Sequence, residues 1–322
     1  MSIHKEPHGV VRVLITGAGS YVGNAVQKHL QQYPEQFQVD MLSMRGSAWQ
    51  SVDLSPYDCI FHTVGIAHVD TQGADEKTIR EYYRVNCDLA VELAKKAQEQ
   101  GVSQFIYMSS IIVYGESVWG KNATPITAQT PPSPVNFYGK SKLQAEIQLQ
   151  ETANDYAQRN PGSAKMHIAL VRSPFVYGHG CKGNYQMLAR IAAKTNIFPN
   201  YKNQRSMIYI ENLAEFIKIL IQKGIGGTFY PQNAQTVSTS DMIAAIAATD
   251  GRKISLCRIL NPLISLCAHI PGKPRRMVRK AFGNQSYDPA ISVAQIDGYQ
   301  IYSLEESLAR MHQNALNTCN QK

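Results

Sequence analysis

The stretch Val10-Val11-Arg12-Val13-Leu14-Ile15-Thr16-Gly17-Ala18-Gly19-Ser20-Tyr21-Val22-Gly23 decides the fold. Val10–Ile15 is apolar apart from Arg12, as in a parallel strand buried on both faces. A glycine turn follows, and then Val22, Ala25, Val26, Leu30 and Tyr33 recur at helical spacing. Between a strand and a helix each glycine has a physical purpose. Gly17 permits the tight turn, Gly19 a close backbone approach, and Gly23 close packing of helix on strand. The helix start then offers free N–H groups to a pyrophosphate. In this setting the turn, with Ser20, Tyr21 and Val22 between its glycines, reads as a dinucleotide site rather than a plain tight turn.

Outward from this turn the same alternation continues. Phe37–Leu42, Cys59–Val64, Phe105–Met108 and Met166–Val171 read as strands, and Val85–Gln100 and Gly139–Arg159 as helices. Strands alternating with helices predict crossover connections, hence an α/β doubly wound parallel sheet. After Arg172 the pattern is less regular. Ser238-Thr239-Ser240-Asp241 and Ser303-Leu304-Glu305-Glu306 each resemble a capping box that opens a helix. The expected division is a dinucleotide-binding domain over 1–172, to which 206–235 return, and a smaller interleaved substrate lobe over 173–322.

Composition narrows the partners. Hydrophobic residues make up 44% and charged ones 17%, which excludes a disordered chain. The net charge of +8 suits an anionic ligand such as a diphosphate, and equally nucleic acid or an acidic membrane surface. Basic and aromatic residues do not interleave, so no nucleic-acid partner is expected. The cysteines at 59, 87, 181, 257, 267 and 319 form no CxxC pair. They imply neither a disulfide framework nor a metal site, and reduced thiols point to the cytoplasm. The first seventeen residues lack the apolar core of a signal peptide. The longest apolar run, Ile259–Ile270, holds Asn261, Pro262 and His269 and is too short for a transmembrane segment.

Tyr138-Gly139-Lys140-Ser141-Lys142 sets a phenol and an ammonium four residues apart, on one helix face. A phenol ionises near pH ~10 in water. A neighbouring ammonium and a positive nicotinamide ring favour the phenolate, which can exchange a proton with a substrate hydroxyl while hydride moves to a cofactor. Ser110, ending a strand, is placed to hold that hydroxyl or carbonyl. The ribose position is ambiguous. Twenty residues beyond Gly23, where an acid normally holds the adenosine ribose, stands Ser43, with Arg45 close by. That pair would tolerate a 2′-phosphate, so NADP as well as NAD; a shifted strand register would give the ribose to Asp40 instead.

These motifs resemble the extended short-chain dehydrogenase/reductase family, specifically its NAD-dependent epimerase/dehydratase group of UDP-galactose and UDP-glucose 4-epimerase type. The resemblance rests on the glycine turn, Asp53-Leu54, the segment 61–68, Val85-Asn86, the run from Ser109 to Gly115, and the Tyr138–Lys142 motif. Leu170–Arg172, Val176–Gly178, Gly183-Asn184 and the run from Arg205 to Leu213 extend it over nearly the whole chain. It implies a Rossmann fold. By position it implies that Asp53 and Leu54 meet the adenine, that Thr63, Val64 and Gly65 line the cofactor, and that Asn86 shapes its pocket. Ser110, Tyr138 and Lys142 match the catalytic set. Asn184 opens the helix facing a nucleotide diphosphate, and Arg205 matches a phosphate-binding arginine. Arg279 or Lys280 is the candidate for a second one. Two positions depart from the pattern: Ser20 replaces a glycine, and Phe175 an asparagine usual in epimerases.

The resemblance implies a nucleotide-sugar substrate and polysaccharide precursor synthesis, and leaves a homodimer open. A dehydratase or decarboxylase of this kind needs acids beside the catalytic serine, where this chain has Ile111 and Ile112. What remains is 4-epimerisation by hydride abstraction and return, or reduction of a 4-keto sugar. A non-catalytic, cofactor-sensing protein would share the fold, but it would not need Ser110, Tyr138 and Lys142 together.

Overall fold

A computed structural model describes residues 9–67, 74–120, 123–181 and 183–320, with the side chains of 318–320 left aside. The expectation about the leader rests partly on residues 1–8, outside the described residues, as are His68 of the family-like segment and the side chain of Cys319. The chain separates into two compact units. One comprises residues up to Val113, Pro132–Ser173 and Leu213–Phe229; the other comprises Tyr114–Pro131, Pro174–Asn212 and Tyr230 onward.

The first unit is built on a parallel sheet. Its strands are β1 (Val11–Thr16), β2 (Phe37–Leu42), β3 (Cys59–His62), β4 (Gln104–Ser110), β5 (His167–Ser173) and β9 (Gly227–Phe229). They lie in the order β2-β1-β3-β4-β5-β9, six-stranded among the described residues, and every pairing is parallel. This is the Rossmann-like α/β fold. Helices α3 (Leu89–Glu99) and α4 (Phe137–Arg159) cover one face. Leu93, Ala94 and Ala97 of α3 and Ala145, Leu149 and Ala153 of α4 share a core with Leu14, Ile60, Phe105 and Leu170 of the strands. Small alanines at the seam let the two helices approach closely. α1 (Tyr21–Leu30) and α6 (Ile210–Lys223) are tied by His29 and Glu215, 2.7 Å apart.

Most elements lie within two residues of their expected limits, and two of the differences bear on the site. β4 runs on to Ser110 because Ser109 and Ser110 stay in register with Arg172 and Ser173 of β5. The helix expected from Val85 begins instead as a π-helical turn, Arg84–Asp88, joining α2 (Glu76–Tyr83) to α3. Such widened turns recur at functional sites, and this one carries Asn86.

The second unit holds two small parallel pairs, β6 (Phe175–Tyr177) with β8 (Met207–Tyr209) and β7 (Ile197–Pro199) with β10 (Ser255–Cys257). Around them lie α5 (Asn184–Lys194), α7 (Thr239–Thr249), α8 (Asn261–Cys267), α9 (Lys273–Phe282), α10 (Pro289–Val293) and α11 (Leu304–Asn320). Both predicted helix starts are capped, and the one at Ser303 closes as a full capping box. The Asp241 N–H donates to Ser238 Oγ at 3.0 Å. Ser303 and Glu306 exchange reciprocal bonds, N–H to carboxylate at 2.8 Å and N–H to hydroxyl at 3.2 Å. Among the described cysteines Cys59, Cys87, Cys181, Cys257 and Cys267 are free thiols, the first three buried. No helix among the described residues is long and apolar enough to cross a membrane, and those residues contain no metal-like cluster of ligands.

A buried ion pair pins α4 to the sheet. Arg172 of β5 reaches Glu146 of α4 at 2.6 Å, and Ser109 Oγ donates to Glu146 at 2.5 Å. Both charged side chains are close to fully enclosed, at 11% and 3% exposure. Removing one partner strands a buried charge, whereas removing both leaves mainly a packing change. Arg172→Met alone is expected to destabilise the chain by about 3–5 kcal/mol, and Glu146→Leu with Arg172→Met by less. Chemical denaturation of the two variants checks this; a double variant weaker than the single one would show that the charges are not what holds this contact.

Candidate active site

In the sheet order, β2 and β3 lie on opposite sides of β1, so strand order reverses there. At such a reversal the chains leaving adjacent strands part and open a crevice at the carboxyl ends. The residues after β1 and β3 meet across it. Thr63 donates its N–H to Thr16 O at 3.1 Å and its hydroxyl to the same oxygen at 2.7 Å. Ser20 Oγ lies 2.6 Å from Thr63 Oγ1 and accepts the Gly23 N–H at 2.9 Å, capping α1. A serine at position 20 thus does structural work that a glycine there cannot. Gly17 turns the chain at φ +99°, a left-handed conformation that L side chains rarely adopt, and a Cβ would stand 2.8 Å from Thr63 Oγ1. At Gly23 a Cβ would press on Ser20 Oγ and lie 3.0 Å from Thr63 Oγ1, so only glycine lets α1 seat on β1.

The loop after β3 continues through Val64 and Gly65 to Ile66, and Asn86 holds it. Asn86 Oδ1 accepts the Ile66 N–H at 2.8 Å, while its amide donates to Ile66 O at 3.2 Å and to Ser141 Oγ at 3.1 Å. Ser141 Oγ in turn donates to Tyr138 O at 2.8 Å. One buried amide therefore links the glycine-turn side of the crevice to the helix bearing Tyr138 and Lys142. Tyr107 secures the same turn, its hydroxyl donating to Asn86 O at 2.5 Å.

Ser110 ends β4, and Tyr138 and Lys142 stand on the first two turns of α4, which Asn136 caps through the Gly139 N–H at 2.9 Å. Ser110 Oγ accepts the Ile112 N–H at 3.3 Å. Burial pushes the Tyr138 phenol's pKa up, and the Ser110 hydroxyl opposes this. Tyr82 packs edge-on against Tyr138, with ring centroids 6.4 Å apart. Lys142 is only 4% exposed. Its ammonium donates to Met108 O at 2.8 Å and sits 4.5 Å from the centre of the Tyr107 ring. Burial pulls its pKa down to about 7, against the opposing pull of Glu146 one turn along. A Cβ at Gly65 would lie 3.2 Å from both Lys142 Nζ and Asn86 Oδ1, so the loop passes close beside the lysine.

Sequence reasoning missed three of these neighbours: Tyr107, Glu146 and His62. His62 stands inside an apolar strand, where nothing marks it. It is fully buried, 2.8 Å from Thr16 Oγ1 through Nδ1, and Nε2 has no partner among the described residues. Burial, and then the charge of Lys142, push its pKa down to about 3, so the ring is neutral.

At the far side of β1, Leu42 O accepts the Gly17 N–H at 2.9 Å, which sets the end of β2 against the glycine turn. Ser43 follows directly, exposed, its hydroxyl accepting the Arg45 N–H at 3.3 Å. Asp40 lies within the strand, and its carboxylate accepts the Tyr57 hydroxyl at 3.1 Å. Asp53 is exposed, and its acidity is raised by the Ser55 N–H that it accepts. The Leu54 side chain is fully buried in the core, its N–H donates to Gln100 Oε1 at 2.6 Å and its carbonyl accepts the Tyr57 N–H at 3.0 Å, so neither side chain nor backbone is free to meet an adenine.

In the second unit Asn184 is the first residue of α5 and is exposed. Arg205 bridges Val237 and Gln285 through its backbone. Its Nη1 donates to Lys280 O at 2.8 Å and to Gly283 O at 3.4 Å. Its remaining donors are uncommitted among the described residues. Arg279 donates from Nε to Ala268 O at 3.3 Å.

A sequence model of the NAD dependent epimerase/dehydratase family matches residues 13–230. The chain is 33% identical over 194 residues to a UDP-glucose 4-epimerase of Vibrio cholerae, covering 58% of this chain and 56% of that one. It is 27% identical over 186 residues to N-acetyl-alpha-D-glucosaminyl-diphospho-ditrans,octacis-undecaprenol 4-epimerase of Escherichia coli O157:H7, covering 56% and 53%. The matches thus span about half the length of these curated relatives. Among solved structures, a UDP-glucuronic acid 4-epimerase from Bacillus cereus in complex with NAD superposes with a TM-score of 0.70 at 16% identity, covering 97% of this chain and 99% of that one. A dTDP-4-dehydrorhamnose reductase from Bacillus anthracis in complex with NADP gives 0.67 at 20%, covering 95% and 99%. Those two likenesses speak for the fold alone. With the family match reaching from β1 past β9, this chain belongs to the NAD dependent epimerase/dehydratase family.

Proposed function

We propose that this chain is a nicotinamide-dependent 4-epimerase of a sugar carried on a diphosphate, a UDP-hexose in the first instance. The observation that carries the reading is Ser110 at the end of β4 with Tyr138 and Lys142 one turn apart on the first turns of α4, and no acid at positions 111 and 112, which are Ile111 and Ile112. The glycine turn suits a dinucleotide: its backbone is free of side chains at Gly17 and Gly19, and no atom lies within 4 Å of where a Cβ would stand at Gly19. Gly17, Gly19 and the start of α1 would hold the pyrophosphate, and Thr63, Val64, Gly65 and Asn86 the nicotinamide half. The bound nicotinamide supplies a place for hydride to rest and return from.

The chain's own residues supply the rest. Ser110 orients the sugar C4 hydroxyl. Tyr138 takes its proton as the carbonyl forms and gives a proton back when the opposite face is reduced. Lys142 as ammonium stabilises the phenolate, countering the burial that holds the phenol neutral. Arg205 would bind a substrate phosphate through its uncommitted guanidinium donors, with Asn184 and Arg279 beside the diphosphate. Both curated relatives are named as 4-epimerases, one of a nucleotide sugar and one of a lipid-diphosphate-linked sugar. The diphosphate is what their substrates share, and reduced thiols suit a cytoplasmic setting.

Reduction of a 4-keto sugar is the second reading, favoured by one feature. No carboxylate follows β2: Asp40 is engaged by Tyr57, and Ser43 and Arg45 occupy the strand end. A 2′-phosphate is tolerated there, and NADPH is the usual cellular reductant. An epimerase regenerates its cofactor each turnover; a reductase must exchange it. NAD that copurifies tightly favours the first reading, and freely exchanging NADPH the second.

Three outcomes follow from these roles. Tyr138→Phe is expected to keep cofactor affinity and to lower turnover of UDP-hexoses by about two to four orders of magnitude; near-normal turnover would remove Tyr138 as the proton carrier. Ser43→Asp should shift preference from NADP towards NAD in a fluorescence titration, and an unchanged ratio would return the ribose to Asp40. The third concerns Lys142 in the cofactor-free protein. Its folded pKa of about 7 lies below the free value of 10.5. Between these limits the unfolded chain binds the extra proton, so stability rises with pH. The cost of burying the ammonium is absent above 10.5, grows as pH falls, and is complete once pH has fallen through 7. Lys142→Met should flatten that rise in urea midpoints measured across the window, and an identical slope in the variant would contradict it.

A further inference from the structure

The chain's excess positive charge is confined to one segment. Residues 252–287 contain eight Lys and Arg and no Asp or Glu, which equals the net charge of the whole protein, +8. The other 286 residues carry 24 charges of each sign. Within this segment α8, the turn before it and α9 expose large apolar side chains. Ile259 is 86% exposed, Leu263 57%, Leu266 60%, Ile270 43% and Met277 68%. Leu263 and Leu266 share one face of α8, Ile259 lies four residues before that pair in the preceding turn, and Ile270 four residues after it in the following turn. In α9, Lys273, Arg276, Met277 and Lys280 share one face by the same spacing, all exposed. Arg258, Lys273, Arg275, Arg276 and Lys280 form no ion pair among the described residues.

Scattered exposed apolar residues need no explanation, but four of them within the twelve residues 259–270 mark an interaction surface. A protein partner of ordinary composition would meet this face with mixed charge. Exposed apolar residues followed in the same segment by exposed, unpaired cations match instead a surface that is anionic in its outer layer and hydrocarbon below it. The apolar stretch is too short to cross such a layer and suits lying in it.

We propose that the face formed by residues 258–280 docks on an anionic lipid bilayer, seating Ile259, Leu263, Leu266 and Ile270 among the acyl chains and the α9 cations on the headgroup phosphates. The inference is independent of the reaction assigned above. It is tested by flotation of the full chain, without substrate, on phosphatidylcholine vesicles with and without phosphatidylglycerol. Binding is expected only with phosphatidylglycerol and should weaken as salt is added. Arg275→Ala with Arg276→Ala should weaken it about thirtyfold, and Leu263→Ser with Leu266→Ser should abolish it while thermal unfolding is unchanged. Leu266→Trp supplies a readout that does not depend on the polar variants folding: its emission should shift to the blue on phosphatidylglycerol vesicles. Absence of recruitment, recruitment that survives the two serines, or an unshifted tryptophan overturns the proposal. So does a wild-type dimer in sedimentation that those serines dissociate, which would make the face a contact between two copies of the chain. Loss of epimerase activity in any assay leaves all of these readings unaffected.

Discussion

Parallel pairing of β1 with β3 obliges both strands to release their chains at the same edge of the sheet, with β2 held on the opposite flank of β1. The glycine turn after β1 and the loop after β3 are then forced into contact, and the hydroxyls of Ser20 and Thr63 close that contact. Remove the pairing and neither the turn nor Gly65 has a fixed place. The Asn86 amide extends the same constraint to α4, because it holds the loop on one side and Ser141 on the other. The position of the Tyr138 backbone is therefore inherited, through a short chain of neutral hydrogen bonds, from the register of two strands.

Charge is handled differently on the two sides of α4. Towards the sheet interior, Glu146 and Arg172 satisfy each other and Ser109. Towards the crevice, a backbone carbonyl, an aromatic face and the more distant charge of Glu146 offset the burial of Lys142 only in part. A buried ammonium compensated in this way responds to whatever anion or phenolate comes beside it. His62 next to it stays neutral and so adds no second cation to the cluster.

Much of this was legible before any coordinates. The apolar strand, its three glycines and the following helix declare the turn, and the alternation of strands and helices declares the parallel sheet, because both patterns are local in sequence. Ser303 and Glu306 announce their capping box for the same reason. His62, Tyr107 and Glu146 were not legible, since each acquires its meaning from a partner on another element: Thr16, Asn86 and Arg172. The π-helical turn at Asn86 was also invisible, because its residues fit ordinary helical periodicity. The placement of Ser43 and Asp40 needed the hydrogen bond from Gly17 to Leu42 before the end of β2 could be counted.

The two units are interleaved along the chain, which changes from one to the other after residues 113, 131, 173, 212 and 229. A sheet whose last strand, β9, arrives more than fifty residues after β5 cannot be completed by any short fragment of the protein. Expression of residues 1–173 alone would leave β5 an open edge, a row of unpaired backbone groups ready to recruit strands from other molecules. Folding must close long loops before that edge is covered, which slows it and exposes intermediates to aggregation. Practical dissection of this protein is therefore a matter of point substitutions in the intact chain, and a tag or insertion is best placed away from the five crossings.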